Sequence, residues 1–389
     1  MKKVFALFVV IAMMAAMFAG CGSDASAADP NTIRIGMTGP LTGGNAVYGQ
    51  AVMWAMEVAV EEINAAAGEN GLKIEFKAMD DVSDAETALN AYNQLKDWNM
   101  QIFAGAVTTG PCNNIAPQAV IDQIFMMTPS GSAETIVMGN PNVYQMCFTD
   151  PNQGAASAQL IKAQNLGTKI GVIYDSSTDY STGIWKSFKA EAETLGLNII
   201  AEAVTSFTAD SASEMNTQLT KCKEAGCDLV FLPIYATEAS IVLNNANAMG
   251  YDPVFLGCDG LDGILGVDGF NKELAEGLIM MTPFAADAAD AATQSFVAKY
   301  KEKSGGEIPN QFAADGYDVI YALYAACQAK GINGETSAAD ACALLCEYFQ
   351  DPATTYSGLT GQNMTWDADG KVSKVPSAVE VKGGVYVSK

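Results

Sequence analysis

Asp228-Leu-Val-Phe-Leu-Pro-Ile234, the run Thr237–Met249 and then Pro253-Val-Phe-Leu256 form the stretch that decides the fold. The outer pieces are short, apolar runs of strand character; the middle one is long enough for three turns of helix. Strand, helix, strand at this spacing predicts parallel strands joined by a crossover, in a sheet covered on both faces. The same alternation continues outward. Upstream stand Lys169-Ile-Gly-Val-Ile-Tyr174, a helix near Ser181–Leu195, a strand at Leu197–Val204 and a helix near Ser211–Ala225. Earlier still, Ile33-Arg-Ile-Gly-Met37 reads as a strand, and Ala51 to Ala66 as a helix with Trp54, Val58 and Ile63 near helical spacing. Lys73-Ile-Glu-Phe-Lys77 alternates with period two, and Ser83 to Trp98 is helical again. Ile102-Phe-Ala-Gly105 and Ile124-Phe-Met-Met127 are short buried strands, each followed by a loop of Thr, Ser, Gly and Pro. The fold class expected is α/β.

The chain begins Met1-Lys2-Lys3, continues in an apolar run from Val4 to Gly20, and meets Cys21. The run is short for a membrane span and is followed at once by polar sequence. Phe18-Ala19-Gly20-Cys21 resembles a bacterial lipobox, which implies lipidation of Cys21 and removal of residues 1–20. Residues 21–31 then form a small, polar tether. The expectation is an exported body held on the outer face of a membrane by acyl chains.

Composition narrows the function. The formal charge is −23, which repels phosphate backbones and makes nucleic acid a poor partner. Histidine is absent and Arg34 is the only arginine, so the commonest general base, the commonest zinc ligand and a guanidinium clamp are all missing. No nucleophile–base arrangement is visible, and neither enzyme activity nor a cofactor or metal is expected. Nine cysteines are present, eight of them after Cys21. Their spacing fits no zinc pattern. Cys222 and Cys227 read either as a disulfide or as two thiols at the end of one helix, while Cys342 and Cys346 lie one turn apart on a shared face. So many thiols in an exported protein hint at a reducing habitat. Asp367-Ala-Asp369-Gly370 resembles the start of a calcium loop but lacks its terminal glutamate, Ser377 standing there. A hairpin turn between Met364–Trp366 and Lys371–Val375 explains it better.

Four segments carry a wider resemblance: Gly39-Pro-Leu-Thr-Gly-Gly-Asn-Ala-Val-Tyr-Gly49, Val107-Thr-Thr-Gly-Pro-Cys112, Met127-Thr-Pro-Ser-Gly-Ser132 and Phe255-Leu-Gly-Cys-Asp-Gly260. In order and spacing they resemble the type I periplasmic solute-binding proteins of the Leu/Ile/Val family, which serve branched-chain amino-acid ABC importers. The resemblance implies two Rossmann-like lobes with parallel sheets and a three-crossing hinge, placed near residues 149–151, 281–283 and 355–361. Lobe I would comprise 32–149 plus 283–355, and lobe II 151–281 plus 361–389. It implies a monomer that captures a free amino acid, aliphatic in kind, by hinge closure and hands it to an ABC permease. A sensor module delivering a ligand-bound shape to a signalling partner is the other reading the fold supports.

The candidate site follows from strand ends. Ligands of open α/β sheets sit beyond the carboxyl ends of the strands. Thr108-Thr109-Gly110-Pro111 and Ser130-Gly131-Ser132 occupy that place, each expected to run into a helix and present hydroxyls and amides to an anion. The resemblance assigns Thr109 and Ser132 to a ligand carboxylate and the Ser130 carbonyl to its ammonium; plain helix caps are the alternative. Asp259, where the family usually has a glutamate, would pair with the ammonium from the second lobe, either at closer range or through a water; a turn-stabilising role before Gly260 is the alternative. Tyr48, Tyr180 and Tyr235, expected in loops, match positions that enclose the ligand, and Phe312 either lines the pocket or packs in the core.

Overall fold

The computed structural model describes residues 29–389, so the export signal and Cys21 lie outside the described residues. The first sheet takes β1 (Thr32–Gly39), β2 (Lys73–Asp80), β3 (Ile102–Phe103), β4 (Phe125–Thr128) and β5 (Val143–Gln145) in the order β2-β1-β3-β4-β5. All its pairings are parallel. Its connections run through α1 (Ala46–Ala67), α2 (Ala85–Asp97) and α3 (Thr109–Asp122). Burial on both faces explains why β4 reads as the continuous run Phe125-Met-Met-Thr128, every residue of it buried.

At Thr149 the chain leaves this lobe. The Thr149 hydroxyl accepts from the Asn152 amide and starts α4 (Asp150–Gln164), which packs on α5 (Asp179–Leu195) over the second sheet. That sheet adds β6 (Ile170–Asp175), β7 (Ile199–Phe207), β8 (Leu229–Leu232), β9 (Val254–Gly257) and β10 (Ile279–Thr282), with α6 (Asn216–Glu224) and α7 (Ala236–Ala248) among its crossovers. Its order is β12-β11-β10-β9-β8-β6-β7, and the pair β11 (Ser377–Lys382) and β12 (Val385–Ser388) closes it as an antiparallel edge. After Thr282 the chain returns: Phe284 packs with α8 (Ala291–Ser304) and the first-lobe residues Ala51 and Ala55. Then α9 (Gln311–Lys330), capped by the Asn310 side chain on the Ala313 amide, lies along α1. Finally α10 (Ala338–Gln350) covers β4. Parallel strands with helices on both faces of each sheet match the α/β architecture expected.

Two boundaries differ from the sequence reading. The expected third crossing at 355–361 belongs instead to the first lobe. Tyr356 pairs with Met364 and Trp366 with Val372, while the Trp366 indole N–H donates to the Gln145 carbonyl of β5 at 2.9 Å. Lys374 is buried beside Asp315 on α9, so the chain crosses to the second sheet only between Lys374 and Ser377. The hairpin expected around Asp367–Gly370 is present, and its Asp367 carboxylate accepts the Asp369 and Lys371 amides. The helix expected over 211–225 begins at Asn216, because Ala209–Ser211 is a single 3-10 turn.

Candidate functional site

A cleft between the lobes gathers all eight predicted site residues: Tyr48, Thr109, Ser130, Ser132, Tyr180, Tyr235, Asp259 and Phe312. The first lobe supplies two loops. After β3, Thr109 opens α3, and the preceding Thr108 makes no side-chain cap, its hydroxyl donating to Ser83 Oγ at 3.1 Å. After β4, the Thr128 hydroxyl donates to the Ala106 carbonyl at 2.6 Å and accepts the Gly131 amide at 2.8 Å. Ser130 Oγ donates to the Val107 carbonyl at 2.7 Å, which ties the two loops together. The helix expected after Ser132 is only one 3-10 turn, Glu134–Ile136, so no long helix points at that loop. Ser132 is 1% exposed and its hydroxyl has no hydrogen-bond partner. It is a buried polar group in the cleft wall beside the Asp150 carboxyl, not a cap.

From the second lobe come Tyr180, Tyr235 and Asp259. Thr178 caps α5, which puts Tyr180 in its first turn. Tyr48 likewise sits in the first turn of α1, so neither lies in the loop that the sequence predicted. Glycine and small polar residues around both helix starts hide the boundary from periodicity. Tyr235 immediately precedes α7 and stacks on Tyr180, with centroids 4.7 Å apart and planes 9° from parallel. Tyr48 reaches from the other side to Tyr235 (5.5 Å) and meets Phe312 edge-on (4.9 Å). The Tyr48 hydroxyl donates to the Gly260 carbonyl at 2.6 Å and accepts the Ala236 amide at 2.7 Å, bridging the lobes. Gly260 lets the turn pack against Tyr180 and the chain just after β8: a Cβ there would stand 2.5 Å from the Tyr180 oxygen and 2.7 Å from the Ile234 carbonyl.

Asp259 is 2% exposed. Its Oδ1 accepts the Tyr180 hydroxyl at 2.6 Å and the Gly260 amide at 2.8 Å, so it both stabilises the turn and faces the cleft. Burial raises its pKa to about 6, offset in part by hydrogen bonds from Tyr180, Gln153 and Gly260. Burial and the negative field of Asp259 push the Tyr180 and Tyr235 hydroxyls well above their usual range, keeping both neutral donors.

One charged neighbour escaped the sequence reading. Asp150, 1% exposed at the first crossing, hangs beneath Ser132: its amide donates to the Ser132 carbonyl at 2.9 Å. Its Oδ1 accepts from Gln153 Nε2 (3.1 Å), and Gln153 Oε1 in turn accepts the Asp259 amide (3.0 Å). Its Oδ2 faces the Ser132 hydroxyl outside hydrogen-bonding geometry and has no partner. Burial first, then Asp259, raise its pKa well above the usual carboxylate range. In sequence, residues 149–151 stand out only as the first hinge crossing that the resemblance implies, with no part in the site.

The closed cleft encloses about 10 Å³, near the minimum needed to hold one water molecule. Anything the size of an amino acid enters only when the lobes part. The cleft brings opposed hydroxyls and aromatic rings from the two lobes around one ionisable acid, Asp259.

Residues 32–384 match the family model described as periplasmic binding protein. The chain is a periplasmic binding protein. As a member of this extracytoplasmic family it is a solute-binding protein and not an enzyme, and its fold is of type I. It is 29% identical over 301 residues to the leucine-, isoleucine-, valine-, threonine-, and alanine-binding protein of Pseudomonas aeruginosa, covering 75% of this chain and 78% of that one. Among solved structures, the leucine-binding protein LivK of Thermotoga maritima superposes with a TM-score of 0.80 at 25% identity, over 92% of this chain and 97% of that one. LivJ of Streptococcus pneumoniae, solved in complex with isoleucine, matches with the same TM-score and identity over 92% of this chain and 100% of that one. No described helix of this periplasmic binding protein is long and apolar enough to cross a membrane.

Proposed function

We propose that this protein is the lipid-anchored substrate-binding component of an ABC importer that captures a free amino acid, branched-chain or otherwise aliphatic, and delivers it to the permease. The observation that carries the reading is the cleft's polarity. Thr109 and the unpartnered Ser132 hydroxyl stand on the first lobe, and the ionisable Asp259 faces them from the second. An α-amino acid matches both ends at once. Its carboxylate accepts from Thr109, Ser132 and nearby amides, and its ammonium pairs with Asp259 and the Ser130 carbonyl. Tyr48, Tyr235, Val107 and Phe312 leave an apolar and aromatic wall for an aliphatic side chain. The names of the Pseudomonas, Thermotoga and Streptococcus relatives support the branched-chain assignment. Binding closes the hinge, and closure forms the surface the permease reads. Cys21 carries the lipid.

Calorimetry with leucine, isoleucine and valine tests the reading, alongside 3-methylbutylamine, which is leucine without its carboxylate. Losing two charge-assisted hydrogen bonds, at roughly 1.5–3 kcal/mol each, weakens binding by at least about a hundredfold. An amine that binds as tightly as leucine removes Thr109 and Ser132 from the carboxylate site. Asp259→Ala is expected to cost roughly 2–5 kcal/mol, and an unchanged affinity would remove Asp259 from the site.

A further inference from the structure

Helix α6 ends in a glycine-centred cap. Gly226 has φ +69° and its amide donates to the Lys223 carbonyl at 3.0 Å, while the Cys227 amide donates to the Cys222 carbonyl at 3.0 Å. This pair of bonds is the Schellman arrangement, which turns the residue after the glycine back onto the side chain one turn earlier. Hydrophobic residues commonly fill those two places; here both are cysteines. The long-range bond of the motif ties the two cysteines together through their backbones, and the structure holds both as free thiols. Both side chains are buried, Cys222 at 0% and Cys227 at 4% exposure. Their sulfurs converge over one point of β6. A Cβ on Gly171 would meet Cys222 Sγ at 2.8 Å and Cys227 Sγ at 3.3 Å, which puts the sulfurs within about 6 Å of each other. The bare glycine leaves the room that two bonded sulfurs occupy.

We propose that Cys222 and Cys227 form a redox site that closes to a disulfide by exchange with the disulfide of an oxidised thiol carrier. Cys227 attacks first, because it is the more exposed of the two; burial and the neighbouring Asp228 push its thiol up, and Lys169 opposes them in part. The Cys227 thiolate displaces one carrier sulfur as a thiol and leaves a mixed disulfide. Cys222 then loses its proton and attacks Cys227 Sγ, releasing the second carrier thiol. Two protein thiols are oxidised and one carrier disulfide is reduced, so electrons and protons balance. The bridge spans so short a loop that it adds little chain entropy. Its effect is to protect two thiols from further oxidation and to fix the α6–β8 turn under the second sheet.

The test uses the purified protein, freed of reductant and incubated with oxidised glutathione, then denatured, alkylated and digested with trypsin without reduction. Lys223 lies between the cysteines, so cleavage separates Cys222-Lys223 from the peptide beginning at Glu224. The expected product holds these two together, about 2 Da lighter than their dithiol sum, and falls apart on reduction. Cys258 lies on the same Glu224–Lys272 peptide, and fragmentation should find it alkylated and the link at Cys227. In Cys222→Ser, Cys227 is expected to stop at the glutathione adduct; in Cys227→Ser, the fully buried Cys222 stays free. Wild-type protein whose Cys222 and Cys227 are both alkylated after the oxidant, or whose Cys227 adduct never resolves, overturns the proposal.

Discussion

Replacing Tyr48 by phenylalanine deletes one oxygen and leaves the ring packed on Phe312 and Tyr235. That oxygen makes two hydrogen bonds across the lobes, to the Gly260 carbonyl at 2.6 Å and from the Ala236 amide at 2.7 Å. In an open protein water replaces both; in the closed protein nothing does, since Ala236 is fully buried. The loss therefore falls on closure and not on folding of either lobe. At about 1 kcal/mol net per bond the closed state loses about 2 kcal/mol, close to thirtyfold in the closing equilibrium. Where closure is coupled to binding, ligand affinity falls by the same factor. Calorimetry with the tightest-binding amino acid measures it, while small-angle scattering at one sub-saturating ligand concentration should show the variant more expanded than wild type. The melting temperature should barely move. An affinity within twofold of wild type, with unchanged scattering, refutes the view that this phenol bridges the lobes in the state that holds ligand.

Affinity is expected to fall as pH drops through about 6: the buried Asp259 carboxyl must be ionised to pair with an ammonium, and its pKa of about 6 makes protonation compete below that point, by up to tenfold per pH unit. Titration calorimetry from pH 8 to pH 5 checks this, and a flat profile would remove Asp259 as the ammonium partner. Lys374→Met is expected to destabilise the fold by about 3–5 kcal/mol, because it strands the buried Asp315 and Asp318 without their cation. Burial already raises Asp315 to about 7 and Asp318 in the same direction; removing the lysine raises both further. The folded variant then binds protons more tightly than the unfolded chain and than wild type, and its deficit in urea melts should shrink as pH falls from 9 towards 5, with the Asp315 share lost by about pH 7. A deficit constant with pH would mean lost packing instead. Cys21→Ser is expected to move the protein from the membrane fraction to the soluble one, and retention after a high-salt wash would argue for an uncleaved anchor.

The central strands were legible because they are buried on both faces, which forces runs such as Leu229-Val-Phe-Leu232 whose ends Pro and Asp mark, and β2 showed through its alternation. The short β5 and β10 and the partly exposed edge pair β11 and β12 give a weaker signal of either kind and went unread. Helix starts were less so. Tyr48 and Tyr180 occupy first turns, where apolar periodicity has not begun, and a bulky aromatic there reads as loop. The cleft residues could be named from loop motifs at strand ends, but Asp150 could not. Its burial depends on Gln153, Ser132 and Asp259 meeting at a hinge, a contact across 106 residues for the Gln153 bond. The third crossing was misplaced for a similar reason. Residues 356–372 make only isolated bridges, so nothing periodic shows that Trp366 belongs to the sheet of Gln145.

Each lobe is stitched from separated parts of the chain, and this orders events in time. Gln101, beside β3, is held by the carbonyls of Asn333 and Thr336, more than 230 residues later. Lys374 must arrive before Asp315 is neutralised, and the second sheet gains β11 and β12 only from residues 377–388, long after β10 in the chain. Contacts this distant in sequence slow folding, because the loop between them must close before either end is rewarded. The amino-terminal half alone therefore has no complete core to collapse around, and the first sheet becomes stable only when residues beyond 330 dock on it.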